Sequence, residues 1–314
     1  MKISRFLAAI FLMLPLLLVC SHPFVCAESN NTIIVVIKSR SIGPYIEVID
    51  SFKQAMAAYN YNVKIMEYDL AGETLPAGIY NNIEAVKPQL IFSLGTPATK
   101  VARQTFSNLN LTVVYAMVLN PAASNIEPPG VSMDIPFEEK FKEIKRILPN
   151  AKKIGVIYSS DYAYVFEEVA RSASRSGLVA LGRKIGSQKE FSEALLDILK
   201  EIDCFLMIAD PNTYLPKTTE YLLLEALQKK IPVIGLSSGY TKAGALVSFD
   251  CDYVDLGKQS AEFVASLISG KAENVKGVIP PRKIKFSLNL KVAERLGIDI
   301  PQDIVNQAGE VFGK

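Results

Sequence analysis

Two short stretches of this chain carry groups that could hold a small charged molecule. SLGTPATK, Ser93 to Lys100, follows an apolar run and leads into a helical pattern. MIADPNTY, Met207 to Tyr214, does the same, and in register Thr96 falls on Asp210 and Thr99 on Thr213. A strand that stops at a small residue, turns and starts a helix leaves backbone N–H groups unpaired and aimed outward, with a dipole that favours an anion. Gly95, Thr96 and Thr99 are therefore expected to take a ligand carboxylate. Asp210, with Asn212 and Thr213 beside it, is expected to accept from a ligand ammonium. The alternative for Asp210 is a helix cap, which the D-P-N-T order suits equally.

The remaining loops after apolar runs carry the same chemistry. They offer Ser39, Ser41 and Tyr45, then Asn120, then Ser160, Asp161 and Tyr162, then Ser237 and Ser238. These are hydrogen-bonding groups with little fixed charge, and Tyr45, Tyr162 and Tyr240 add rings for stacking.

Catalytic readings find little support. GLSSG, Gly235 to Gly239, matches the nucleophile pattern G-x-S-x-G and would make Ser237 the nucleophile of a serine hydrolase. The single histidine of the chain is His22, inside the N-terminal leader described below, so no imidazole is left to act as its base. G-x-G-x-x-G and G-x-x-x-x-G-K-[ST] are both absent, and neither a metal nor another cofactor is expected.

The elements that would position these loops read as two α/β lobes. TIIVVI, Thr32 to Ile37, is the continuous apolar run of a strand buried on both faces. Ile46, Ile49, Phe52, Met56 and Tyr59 then recur at helical spacing, and a second strand starts at Val63. KIGVIY, from Lys153, opens the same sequence of patterns again about 120 residues later. The duplication predicts parallel sheets with alternating helices in both halves. PAASNIEPPG, in a turn-rich stretch from Asn120 to Pro136, marks one crossing between lobes, and further crossings are expected near Asp250 and Lys283.

The N-terminus reads as a secretory signal: Lys2 and Arg5, an apolar run from Phe6 to Cys20, and cleavage after Ala27. A lipid-modified Cys20 is the alternative. Removal of residues 1–27 leaves 32 basic and 32 acidic residues, and no basic patch points to nucleic acid. Of the four cysteines, Cys204 and Cys251 remain and are read as buried free thiols rather than a disulfide.

KIGVIYSSDYAY, IDCFLMIADPNTY, the segment from Lys230 to Gly270, and PRKIKFSLNLKVAERLGI together resemble the ABC transporter substrate-binding proteins of the tryptophan/tyrosine type. The resemblance covers almost all of the chain after residue 27. It implies a type I periplasmic-binding-protein fold, two Rossmann-like lobes joined by a three-stranded hinge. Residues 28–133 would form the first lobe, completed by 253–282, and 134–252 the second, with 283–314 a last crossing and helix of unassigned lobe. It also implies capture of a small solute, an amino acid or related zwitterion, by hinge closure. A monomer would then deliver it to a membrane permease and its ATPase outside the cytoplasm. A ligand sensor for a membrane receptor is the competing function.

Overall fold

The structure is a computed structural model, and it describes residues 32–59, 63–72, 74–271 and 277–313. The leader, its cleavage site and Cys20 lie outside the described residues.

The first half runs β1 (Thr32–Lys38), α1 (Gly43–Ala58), β2 (Val63–Asp69), α2 (Ile79–Val86), β3 (Leu90–Leu94), α3 (Thr96–Thr105), β4 (Val113–Val118) and β5 (Gly130–Ser132). β1 shows why its sequence is apolar without a break. Ile34 and Val36 point into a core shared with α1, whereas Val35 and Ile37 point into the core under α2 and α3 on the opposite face. Alternate side chains of a strand leave opposite faces, so a strand covered on both sides must be apolar at every position.

The second half repeats the plan: α4 (Phe137–Ile147), β6 (Lys153–Ser159), α5 (Ala163–Arg175), β7 (Val179–Ile185), α6 (Phe191–Ile198), β8 (Cys204–Leu206), α7 (Pro216–Gln228), β9 (Val233–Gly235), α8 (Ser238–Ala243) and β10 (Val247–Cys251). α4 owes its one buried face to Phe137, Phe141, Ile144 and Ile147. The last elements are α9 (Tyr253–Ile268), β11 (Val278–Ile279), β12 (Ile284–Asn289), α10 (Leu290–Leu296), α11 (Gln302–Gln307) and β13 (Glu310–Phe312).

The strand orders are β11-β5-β4-β3-β1-β2 and β13-β12-β10-β9-β8-β6-β7. Within each, the first five strands of the half lie in the order 2-1-3-4-5, paired in parallel. The duplicated sequence pattern is thus a duplicated topology. β12 joins the second sheet antiparallel to β10, and β13 pairs with β12 in parallel, so residues 284–312 extend the second lobe.

The chain passes between the sheets three times: at 133–136, at Asp252 and at 280–283. After the second passage α9 returns to the first lobe and buries Leu256, Ala261 and Val264 in its core. β11 then pairs with β5 in the first sheet. The second and third passages are tied together by the Asp252 N–H donating to Lys283 O at 3.1 Å. The Arg282 guanidinium grips Asp255 of α9 through Nε at 2.8 Å and Nη2 at 3.3 Å.

Candidate functional site

In sheets of this order the crevice between the first and third strands is where ligands are expected. In both lobes the chain fills that crevice with its own side chains. At the end of β3, Ser39 Oγ donates to Leu94 O at 2.8 Å and accepts the Ala98 N–H at 2.9 Å. Gly95 N donates to Ala116 O, Thr99 N donates to Gly95 O, and Pro97 has no N–H. Of the donors at the start of α3, the Thr96 N–H alone has no partner among the described residues.

Gly95 sits at φ +90°, and a Cβ there would come within 2.6 Å of the Tyr45 hydroxyl and 2.7 Å of Ser39 Oγ. Tyr45 is half-buried, and burial raises its hydroxyl above the usual range against the pull of Arg40 and Ser39. Ser39, Tyr45, Gly95 and Thr96 therefore meet at one point. Thr99 does not join them: it is fully buried, donating to Gly95 O and sharing a 2.9 Å bond with Ser93 Oγ. Its hydroxyl is assigned to the fold, which corrects its expected contact with a carboxylate. Ser41 turns to Asp69 at 2.9 Å.

The equivalent crevice of the second lobe belongs to Asp210. One carboxylate oxygen accepts from Ser159 N and Thr213 Oγ1, both at 2.7 Å, and the other from Asn212 N at 3.0 Å and Thr213 N at 3.3 Å. Asp210 and Thr213 are buried. This carboxylate holds the loop to β6 and closes the turn over Asn212 and Thr213, with no acceptor capacity left for an ammonium; it does not cap a helix either, because α7 starts only at Pro216 with Leu215 at its N-cap. Asn212 reaches Asp161 at 3.2 Å, and Ser160 and Asp161 are exposed. Tyr162 stacks on Tyr164 with centroids 6.2 Å apart. Ser237, the supposed nucleophile, has extended backbone at φ −157° and ψ 169°, without the strained turn of a nucleophile elbow. Ser238 opens α8.

The main opening between the lobes lies against the hinge. It is a cavity of about 750 Å³ lined by segments of all three passages: Ser132 to Pro136, Phe249 to Cys251 with Tyr253, and Val278 with Pro280. The first lobe adds Leu119 and Asn120, and the second adds Phe137, Lys140, Tyr164, Glu168, Ser237 and Tyr240. A smaller hollow of about 360 Å³ adjoins it through Leu119, Asn120, Ala209, Leu236 and Tyr240, and takes in Tyr162 and Asp210. Of the residues picked out by their loops, Asn120 and Ser237 line the main cavity, and Tyr162 lines its annex.

Its charged groups had no local motif to mark them. Lys140 lies in the first turn of α4, its amino group 4.9 Å from the Phe137 ring centroid. Burial lowers it to about 8, with Asp134 and Glu168 pulling back. Asp134 accepts the Asn120 N–H at 2.9 and 3.1 Å, and burial raises its carboxyl despite that bond and Lys140. Asp250 accepts from Tyr253 Oη at 2.8 Å and Cys251 N at 3.0 Å, and burial raises it likewise. Cys251 and Cys204 are buried free thiols pushed up to about 12 by burial. No group of three metal-ligating side chains occurs among the described residues. No described helix is long and apolar enough to cross a membrane.

Comparison with known proteins agrees with this architecture. The family model described as ABC transporter substrate binding protein matches residues 33–312. A tyrosine-binding protein of Clostridioides difficile is 22% identical over 225 residues, 67% of this chain and 64% of that protein, so the match spans just under two thirds of the relative's length. An ABC domain from Streptococcus pneumoniae, solved in complex with L-Trp, is 24% identical, with 90% of this chain and 100% of that one covered at a TM-score of 0.58. The ligand-free, open structure of a substrate binding protein with adhesive properties from Clostridium difficile superimposes at a TM-score of 0.70, with 19% identity and the same coverage.

Proposed function

The chain belongs to the ABC transporter substrate binding protein family, and from that premise we propose that it captures an amino acid, preferentially an aromatic one, in the cleft between its lobes. The observation that carries this reading is the cavity at the hinge, lined by both lobes and by every passage between them. Its size lies within the range of small-molecule sites. Phe137, Tyr164, Tyr240, Phe249 and Tyr253 supply ring surface, and Lys140 and Asp250 supply opposite charges. A tyrosine-binding relative and a structural neighbour holding L-Trp support the same solute class.

The mechanism is capture by closure. A solute that touches both lobes at once binds the closed arrangement better than the open one, and only that difference shifts the equilibrium. The closed form is then the one presented, outside the cytoplasm, to a permease and its ATPase. The chain acts as a monomer, without catalysis and without nucleic acid. Groups at the lobe crevices, Ser39, Tyr45, Gly95 and Thr96 on one side and Tyr162 and Ser237 on the other, close over the far end of the solute.

Calorimetric titration of the purified chain with the standard amino acids tests this directly, paired with small-angle X-ray scattering. Binding of tyrosine, tryptophan or phenylalanine with a more compact scattering profile is expected. Absence of heat with every amino acid would overturn the reading.

A further inference from the structure

We propose that Lys140 holds the solute's carboxylate and Asp250 its ammonium, so that the charges gripping an amino acid come from the two ends of the hinge. This rests on the amino-acid reading above and names the polar contacts of that same site.

Three observations lead to it. First, among the described residues Lys140 is the one cation lining the cavity, against three carboxylates, Asp134, Glu168 and Asp250. A cavity with that excess of negative charge is completed by a ligand that brings a positive group. Second, the amino group of Lys140 forms no ion pair or hydrogen bond among the described residues, although it stands over the Phe137 ring. A half-buried ammonium with unused donors, in a place where water is partly excluded, is a strong point anchor for an anion.

Third, the acids differ in what they have left to give. Both oxygens of Asp134 are turned to the Asn120 N–H, and Glu168 is exposed at the mouth. Asp250 commits one oxygen to Tyr253 and Cys251. Its second oxygen has no partner among the described residues, and it is not among the fully buried orphan atoms, which are Tyr115 Oη and Ser159 Oγ. That oxygen is free to accept from an ammonium.

The placement explains how charge recognition would couple to closure. Lys140 lies in the first turn of the helix that follows the first passage, and Asp250 is the next-to-last residue of the strand that precedes the second. A ligand bound to both spans two hinge strands. The groups facing Lys140 are Asp134 from the first passage, Glu168 from α5 and Phe137 from its own helix. An incoming carboxylate adds a third negative neighbour and raises the lysine, so binding takes up a proton above pH 8.

The test uses the purified chain with three probes in calorimetry: L-tyrosine, tyramine, which lacks the carboxylate, and 3-(4-hydroxyphenyl)propionate, which lacks the ammonium. Wild type should bind L-tyrosine at least tenfold more tightly than either analogue. Lys140→Met should lose tenfold or more for L-tyrosine and leave tyramine unchanged. Asp250→Asn should lose a similar factor for L-tyrosine and leave the propionate unchanged. Lys140→Arg, which stays protonated, should keep its L-tyrosine affinity between pH 8 and 9 better than wild type does, and thermal unfolding checks that each variant folds. If wild type binds L-tyrosine and Lys140→Met preserves its preference over tyramine, or loses both ligands equally, this assignment fails while the amino-acid reading stands. If wild type binds no aromatic amino acid, both fail.

Discussion

Asn120 of the first lobe donates through its side-chain amide to the Tyr164 hydroxyl of the second at 2.5 Å. The amide is oriented for this, because its oxygen accepts the Ala123 N–H at 3.2 Å. Asn120 also sits at φ +49°, a conformation that asparagine tolerates better than most residues. One bond of this kind contributes about 1 kcal/mol. Tyr164→Phe should therefore weaken solute affinity by about fivefold through the balance of open and closed forms, with little change in melting temperature. Calorimetry of the variant beside wild type checks it, and an unchanged affinity would separate this contact from closure.

Asp210→Ala should act on stability. Four hydrogen bonds to a buried carboxylate disappear, and the Ser159 N–H loses its acceptor. The expected loss is about 3 kcal/mol in chemical denaturation. Solute affinity below the melting transition should stay within about threefold of wild type, because no acceptor site of this group was open to the ligand.

These two residues mark how far the sequence could be read. TIIVVI announced a strand covered on both faces, and the repeat of that pattern at Lys153 announced two lobes of one topology, because burial and period are local properties. Thr99 and Asp210 looked like ligand groups because a helix start shows its free donors locally. What engages these groups comes from far along the chain: Ser39 accepts from Ala98 N across 59 positions, and Ser159 N donates to Asp210 across 51. Lys140 and Asp250 escaped notice for the converse reason. A lysine in the first turn of an amphipathic helix beside Glu138 and Glu139 reads as a solvated face, and only the three passages together enclose it.

Gly257→Ala should loosen the helix that returns to the first lobe. A Cβ at this position of α9 would meet Ser51 Oγ and Val48 O of α1, and lie 3.1 Å from Phe52 N. Backbone cannot yield there as a side-chain tip can, so α9 must move off α1. Overpacking of this kind costs about 1–3 kcal/mol. Denaturation curves measure it, and hydrogen exchange should localise the loss to α1 and α9.

The Asp255–Arg282 pair gives a pH dependence. Burial opposes the charge on Asp255, but bonds and charge from Arg282 and Lys283 outweigh it and hold the carboxyl below its usual range. A carboxylate lowered on folding contributes stability that is present above its unfolded pKa and disappears as pH falls through the folded one. Arg282 is 41% exposed, so screening limits the contribution to about 1 kcal/mol. Asp255→Asn should be less stable than wild type at pH 7, and the two should converge below pH 3. Thermal unfolding across pH 2–7 measures the gap.

The return of α9 and β11 to the first sheet sets an order of assembly. A ribosome that has made everything up to Asp252 has supplied a first lobe whose α1 face lacks its cover and whose β5 edge lacks its neighbour. The second lobe waits longer still, for β12 and β13. Neither half is therefore complete when the second passage is made: the first still needs α9 and β11, and the second still needs β12 and β13. Truncation at residue 283 should consequently damage the second lobe, which loses β12 and β13, and spare the first, which keeps α9 and β11.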